Sequence, residues 1–172
     1  PKIRFFLHPW EDNFPKQRNN YLAHVAEIAV PGDWILVCDP DEFFDVETLK
    51  NVYNLAALAE KNGRNIVGFR CRSISLKGNK RVWQSEDNYW KRLLIKWDPK
   101  FHYTHTGPGA VHESYAGIQH RIMDCGADPH CKETYWYEHR KQQNITWPRG
   151  FRNMFIGGGG PNGKHAHLDE WK

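Results

Sequence analysis

No stretch of this 172-residue chain approaches the roughly twenty consecutive apolar residues that a membrane-crossing helix needs, so no transmembrane segment is expected. A charged-then-apolar leader is absent too. The chain begins at Pro1 without Met, which leaves room for an upstream segment that has been removed. Lys and Arg, 24 against 20 acids, leave a formal charge of only +4 and never gather into a long basic stripe. Nucleic acid is therefore not the expected partner. The mild positive balance suits an anionic small-molecule substrate. Cysteine is scarce: there are four, none in a Cys-x₂₋₄-Cys pair. Cys38 and Cys71 fall in predicted strands and read as small core residues. Cys125 and Cys131 flank Gly126 to His130, a spacing that suits free thiols or a local bridge better than zinc held with His130 or His139. Unpaired buried cysteines without a leader point to a cytoplasmic protein.

What is present suits one domain with a sizeable core. Eight tryptophans, seven tyrosines and nine phenylalanines are available to fill that core or to stack on flat ligands. The most informative stretch is Asp33-Trp34-Ile35-Leu36-Val37-Cys38-Asp39-Pro40-Asp41-Glu42-Phe43-Phe44. Entered from a Pro31-Gly32 turn, its apolar part reads as a short strand buried on both faces. The acids then stand at the strand's C-terminal end, where open α/β sheets bind ligands. Asp39 and Asp41 repel one another unless a cation or proton lies between them. A hard divalent ion fits, because Mg²⁺ takes one or two carboxylates together with phosphate oxygens. Helix capping, the competing role, falls better to Asp45, which directly precedes the helix predicted over Val46 to Lys61.

In chain order, Ile3 to Leu7 reads as a strand ended by His8-Pro9. Tyr21, Leu22, Val25, Ala26 and Ile28 recur at helical spacing, which predicts an amphipathic helix from Pro15 to about Ala29. Arg18 falls in its first turn, where a cation opposes the helix dipole. That position asks for an anionic partner, Glu11, Asp12 or a phosphate. Leu49, Val52, Tyr53, Ala56 and Ala59 predict a second amphipathic helix, closed by Asn62-Gly63. Asn65 to Leu76 is a predicted strand, Lys77 to Lys80 a turn, Arg81 to Trp83 a returning strand, and Tyr89 to Trp97 another strand carrying Lys91 and Arg92. Glu133 to Asn144 is a predicted helix. This order implies an α/β domain with a mixed sheet flanked by helices.

Four stretches in sequence, Trp10 to Asn19 with its Arg18-Asn19, the strand ending Asp39-Pro40-Asp41-Glu42, Arg92-Leu93-Leu94, and Val111-His112-Glu113, resemble family 2 glycosyltransferases. The resemblance spans roughly residues 3 to 120. It implies a GT-A-like, Rossmann-type fold over residues 1–122, with 123–172 as a C-terminal extension packed on the same domain. It also implies transfer of a sugar, with inversion, from a UDP- or GDP-linked donor to a hydroxyl of a glycan acceptor. Asp39 and Asp41 would hold Mn²⁺ or Mg²⁺ on the donor diphosphate, with His120 as a possible third ligand. Arg18 and Arg92 would contact the donor, and Trp10, Trp83 and Trp90 are candidates to stack on sugar or base. The family's usual base-gripping strand and loop have no counterpart here.

Inversion needs a base for the acceptor hydroxyl, and a carboxylate within hydrogen-bond reach serves. Glu113 matches the family's acid at this place, with His112 as the alternative base or an orienting donor. A zinc-protease helix is excluded, because Ala116 stands where His-Glu-x-x-His needs its second histidine. Gly157 to Lys164 has the spacing of a phosphate-binding loop, but His165 replaces its Ser/Thr and seven residues follow, too few for the required helix. A glycine loop that closes over substrate is a milder reading of it. Asn144-Ile145-Thr146 fits a glycosylation acceptor, which matters only in a secreted protein. Two other classes remain compatible with this sequence: a metal-dependent phosphoesterase, and a non-catalytic carbohydrate-binding or assembly domain.

Overall fold

The computed structural model describes residues 3–11, 13–77, 80–106 and 113–142. Asp12, His112, the glycosylation triplet and the glycine-rich segment lie outside them, as does the side chain of Trp83. The described chain is a mixed α/β structure, richer in strand than in helix. No helix among the described residues is long and apolar enough to cross a membrane.

The first helix, α1, runs over Phe14–Val25; the Asn13 side chain caps it by accepting from Lys16 N at 2.8 Å, and Pro15 sits in the first turn, where its missing N–H costs nothing. Short strands β1 (Trp34–Leu36) and β2 (Glu42–Phe44) bracket the acidic turn. Helix α2 spans Val46–Lys61, with Asp45 capping through Thr48 N at 2.6 Å and Asn62 and Gly63 ending it, Gly63 at φ +65°. Strands β3 (Ile66–Lys77) and β4 (Lys80–Lys96) form a long antiparallel pair. Then come β5 (His102–His105), β6 (Glu113–Ala116), β7 (Ile122–Asp124) and β8 (Trp136–Gln142).

The main sheet has the order β1-β4-β3-β8-β2, with β7 also on β3; β5 and β6 form a separate antiparallel pair. Pairing is parallel for β3 with β7 and β8 and antiparallel elsewhere, so the sheet is mixed. Adjacent residues of β3 feed opposite faces: Val67, Phe69 and Cys71 join Leu55, Ala56 and Ala59 of α2, while Ile66 joins Leu22 of α1, Ile95, Phe101 and Tyr103.

Four sequence expectations are corrected. Ile3 to Leu7 is not a strand; the segment is exposed along α1, with Phe6 stacked on His24 at 3.5 Å between ring centroids. The strand before the acids is a half-buried edge strand, antiparallel to β4, and Cys38 lies beyond its end and is exposed. The two strands expected over Arg81 to Trp97 are one, since the polar stretch between them stays paired to β3 through Ser73–Asp87 at 2.5 Å and Arg72–Glu86 at 3.1 Å. The helix expected over Glu133 to Asn144 is strand β8: Tyr137 is buried while Glu138 ion-pairs with Arg81 at 2.7 Å and with Arg140. Glu138 and Arg140 share one side of the strand and Tyr137 the other, a period of two instead of the helical spacing expected.

Candidate functional site

The acidic turn is held by its own last member. Glu42 N donates to Asp39 O at 2.9 Å, and the Glu42 side chain accepts from Asp39 N at 3.0 Å. Glu42 is 5 % exposed, and a buried carboxylate needs a cation. Lys91, pointing inward from β4, supplies it, pairing with Glu42 and reaching Asp39 at 3.0 Å. Asp39 also takes a two-pronged hydrogen bond from Arg18, Nη1 at 2.8 Å and Nη2 at 2.7 Å. The Nε side of the same guanidinium pairs with Glu113, which begins β6. A continuous ionic network thus runs Glu42, Lys91, Asp39, Arg18, Glu113.

Asn19 aims this network. Its side chain donates to Tyr103 O at 2.9 Å and accepts from Tyr103 N at 2.8 Å, which pins α1 to β5. Arg18 then lies 5.5 Å from the Tyr103 ring centroid, a cation–π contact. Tyr21 donates to the Tyr103 hydroxyl at 3.1 Å, and Tyr115 donates to the carbonyl of Arg92. The adjacent Arg18 and Asn19 have separate duties, one electrostatic and one architectural.

Burial alone would raise the Asp39 carboxyl, yet Arg18 and Lys91 hold it at about 2. Burial also works against the charge on Arg18 and Lys91, and their carboxylate partners more than offset it, so both are raised. Tyr103 is pushed up by burial, reinforced by Tyr115 and Tyr21. Asp39, Arg18 and Lys91 are therefore charged and mutually paired at neutral pH.

Beside it opens a cavity of about 240 Å³ lined by Arg18, Trp90, Lys91, Arg92, Tyr103 and Glu113, among others. Of the residues expected from sequence, Arg18, Arg92, Glu113, His120 and Trp90 line the cavity, and Asp39 lies behind Arg18. Arg92 is the least committed cation: its side chain is 43 % exposed and touches Asp124 at 3.4 Å. Trp10 packs edge-on against Phe14 at 4.9 Å instead of joining the lining. Asp41 turns away to His139 at 3.0 Å, across the β2–β8 pairing. Sequence reasoning gave no site role to Lys91, Asn19 or Glu42. A lysine set between Trp90 and Arg92, just before the apolar run Leu93 to Ile95, was the available signal for the first.

Asp39 and Asp41 do not fit a divalent ion as they lie. The oxygens of Asp39 are taken by Arg18 and Lys91, and Asp41 faces His139. Among the described residues no three His, Cys, Asp or Glu side chains converge on one point. The pair expected to share a cation is split between two neighbourhoods.

Comparison with protein-family models, curated proteins and solved structures returned no match.

Proposed function

We propose that the chain is a glycosyltransferase of GT-A-like, Rossmann-type architecture, moving a sugar with inversion from a UDP- or GDP-linked donor to a hydroxyl of a glycan. The observation that supports this reading is convergence. Arg18, Arg92 and Glu113 come from three separate stretches matched by the resemblance, and they line one cavity with Asp39, from a fourth, directly behind. Aromatic walls at Trp90, Tyr103 and Tyr115 offer flat apolar faces to a sugar ring or base.

In this reading Glu113 accepts the proton of the acceptor hydroxyl as that oxygen attacks the anomeric carbon. Arg18, fixed to Asp39, holds Glu113 in place from behind. Arg92, with its weak pairing to Asp124, meets the donor diphosphate. No step is assigned to a metal, because the carboxylates do not form a cradle for one.

The test is calorimetric titration of UDP and GDP into the full chain, in EDTA and in Mn²⁺, followed by sugar transfer with Glu113→Gln. Nucleotide binding should weaken roughly tenfold or more in Arg92→Ala, the cost of one charged hydrogen bond. Glu113→Gln should bind nucleotide at least as tightly as the native chain and transfer sugar roughly a hundredfold slower or worse. If neither nucleotide binds under either condition, the reading fails. Glycan binding alone would make this a carbohydrate-binding domain, and phosphate release without an acceptor a phosphoesterase.

A further inference from the structure

We propose that Cys125 and Cys131 form a dithiol that a hydroperoxide oxidises to an intramolecular disulfide. The inference stands apart from the transferase reading, since it uses only the turn that follows β7. That turn is tightly hydrogen-bonded: Ala127 N and Asp128 N donate to Asp124 O at 3.0 and 2.9 Å, Cys131 N to Asp128 O at 3.0 Å, and Gly126 N to Cys131 O at 2.8 Å. The last of these closes the loop directly beside Cys125. Gly126 sits at φ +83°, and a Cβ there would lie 2.3 Å from Thr134 Oγ1, so the backbone is committed to this closure.

The bond from Gly126 N to Cys131 O sets the two cysteines close together in one buried cluster, at 0 % and 4 % exposure, with the Cys131 thiol donating to Glu133 O at 3.7 Å. Its neighbour Cys125 and the Gly126 amide lower the Cys131 thiol, whereas Cys125 is raised by its neighbour Cys131 and by burial. That asymmetry is what a nucleophilic thiol and its resolving partner require. Cys131 is flanked by exposed His130 and Lys132, which places the turn at the protein surface. His139, one candidate for a zinc site with these cysteines, is engaged with Asp41.

The chemistry balances. The Cys131 thiolate attacks one peroxide oxygen, the O–O bond breaks, and Cys131 becomes a sulfenic acid as hydroxide leaves. The Cys125 thiol then attacks the sulfenic sulfur; the S–S bond forms and the hydroxyl departs with the thiol proton as water. Two thiols and one peroxide give one disulfide and two waters. The turn also carries the Cys125 carbonyl, which accepts from Trp90 Nε1 at 2.7 Å, and Asp124, which pairs with Arg92. Oxidation would therefore lock the segment that backs two cavity residues.

Trypsin cuts after Arg121 and Lys132, so a single peptide, Ile122 to Lys132, holds both cysteines. The folded chain is exposed to stoichiometric hydrogen peroxide, then unfolded, alkylated and digested. The peptide should appear two hydrogens lighter and unalkylated, and should take two alkyl groups after reduction with dithiothreitol. With Cys125→Ser, the sulfenic acid at Cys131 should persist and be trapped by dimedone. A doubly alkylated peptide after peroxide, or sulfinic acid at Cys131 in the native chain without any bridge, would overturn the proposal.

Discussion

Removing Arg18 should cost stability that is present at neutral pH and fades in acid. Its side chain is 13 % exposed and serves Asp39, 29 % exposed, and Glu113, 18 % exposed, so neither carboxylate regains full hydration when the guanidinium goes. The Asp39 carboxyl, raised by burial but pulled down by Arg18 and Lys91, falls from its ordinary 3.8 to about 2, which corresponds to about 2 kcal/mol. Lys91 supplies part of that and remains in Arg18→Ala. Against this, the second orphaned carboxylate adds a penalty of the kind met when one partner of a partly buried pair is deleted, roughly 3 kcal/mol when burial is complete. Partial exposure trims both figures. A loss of about 2 to 3 kcal/mol at pH 7 is the expected sum.

The sign of the pH dependence follows from the direction of the shift. A depressed carboxyl contributes stability above its unfolded value, and that contribution disappears as pH falls through the folded value of about 2. The gap between the native chain and Arg18→Ala should therefore hold from pH 7 down to roughly pH 4 and close progressively below it. Urea unfolding at pH 7, 4 and 3 reads this directly, with equal m-values required for a two-state comparison. A loss under roughly 0.5 kcal/mol at pH 7, within the range of ordinary surface changes, would refute the network as a structural unit. So would a loss that stays constant into acid.

Other perturbations separate the parts. Asn19→Ala removes both hydrogen bonds to the Tyr103 backbone and should cost about 1 to 3 kcal/mol in urea unfolding, because a partly buried N–H and C=O lose their partner. Asp39→Ala should cost about 2 kcal/mol or more, while Asp41→Ala, losing only an exposed pair with His139, should cost roughly 0.5 kcal/mol; equal costs would contradict the division between them. Gly117→Ala, at φ +81° with a Cβ that would meet Lys100 O at 1.7 Å, should lower the thermal midpoint far more than Gly63→Ala, at φ +65° with nothing within 4 Å.

Local chemistry was readable where a few neighbouring residues decide the outcome. Asp45 before an apolar helix, Asn62-Gly63 after it, and the alternating run from Asn65 to Leu76 each carry their own instruction, and each appears as expected. The failures lie where partners are distant. Trp136 to Gln142 is a strand because β3 and β2 take it on either side, and the charges of Glu138 and Arg140 gave no hint of those neighbours. Likewise Asp39 and Asp41 are a pair only in sequence: a residue 21 positions upstream and another 52 downstream claim the first, and a histidine 98 positions on claims the second. Motif order could flag Arg18, Arg92 and Glu113 as belonging together. It could not reveal that the donors of Arg18 are spent on carboxylates.

That expenditure shapes what the cavity can accept. Arg18 and Lys91 are two cations against Asp39, Glu42 and Glu113, so the network carries one carboxylate more than it has cations. Arg92 and Asp124 add one of each and leave the excess unchanged. A diphosphate entering beside such a network gains from Arg92 and loses to the surplus negative charge. Its affinity must then depend on a cation that travels with the nucleotide or on loss of a carboxylate from the wall. This is why, on the proposed transferase reading, Glu113→Gln is expected to bind nucleotide at least as tightly as the native chain while failing at transfer: the side chain assigned there to take the acceptor proton would also repel the donor.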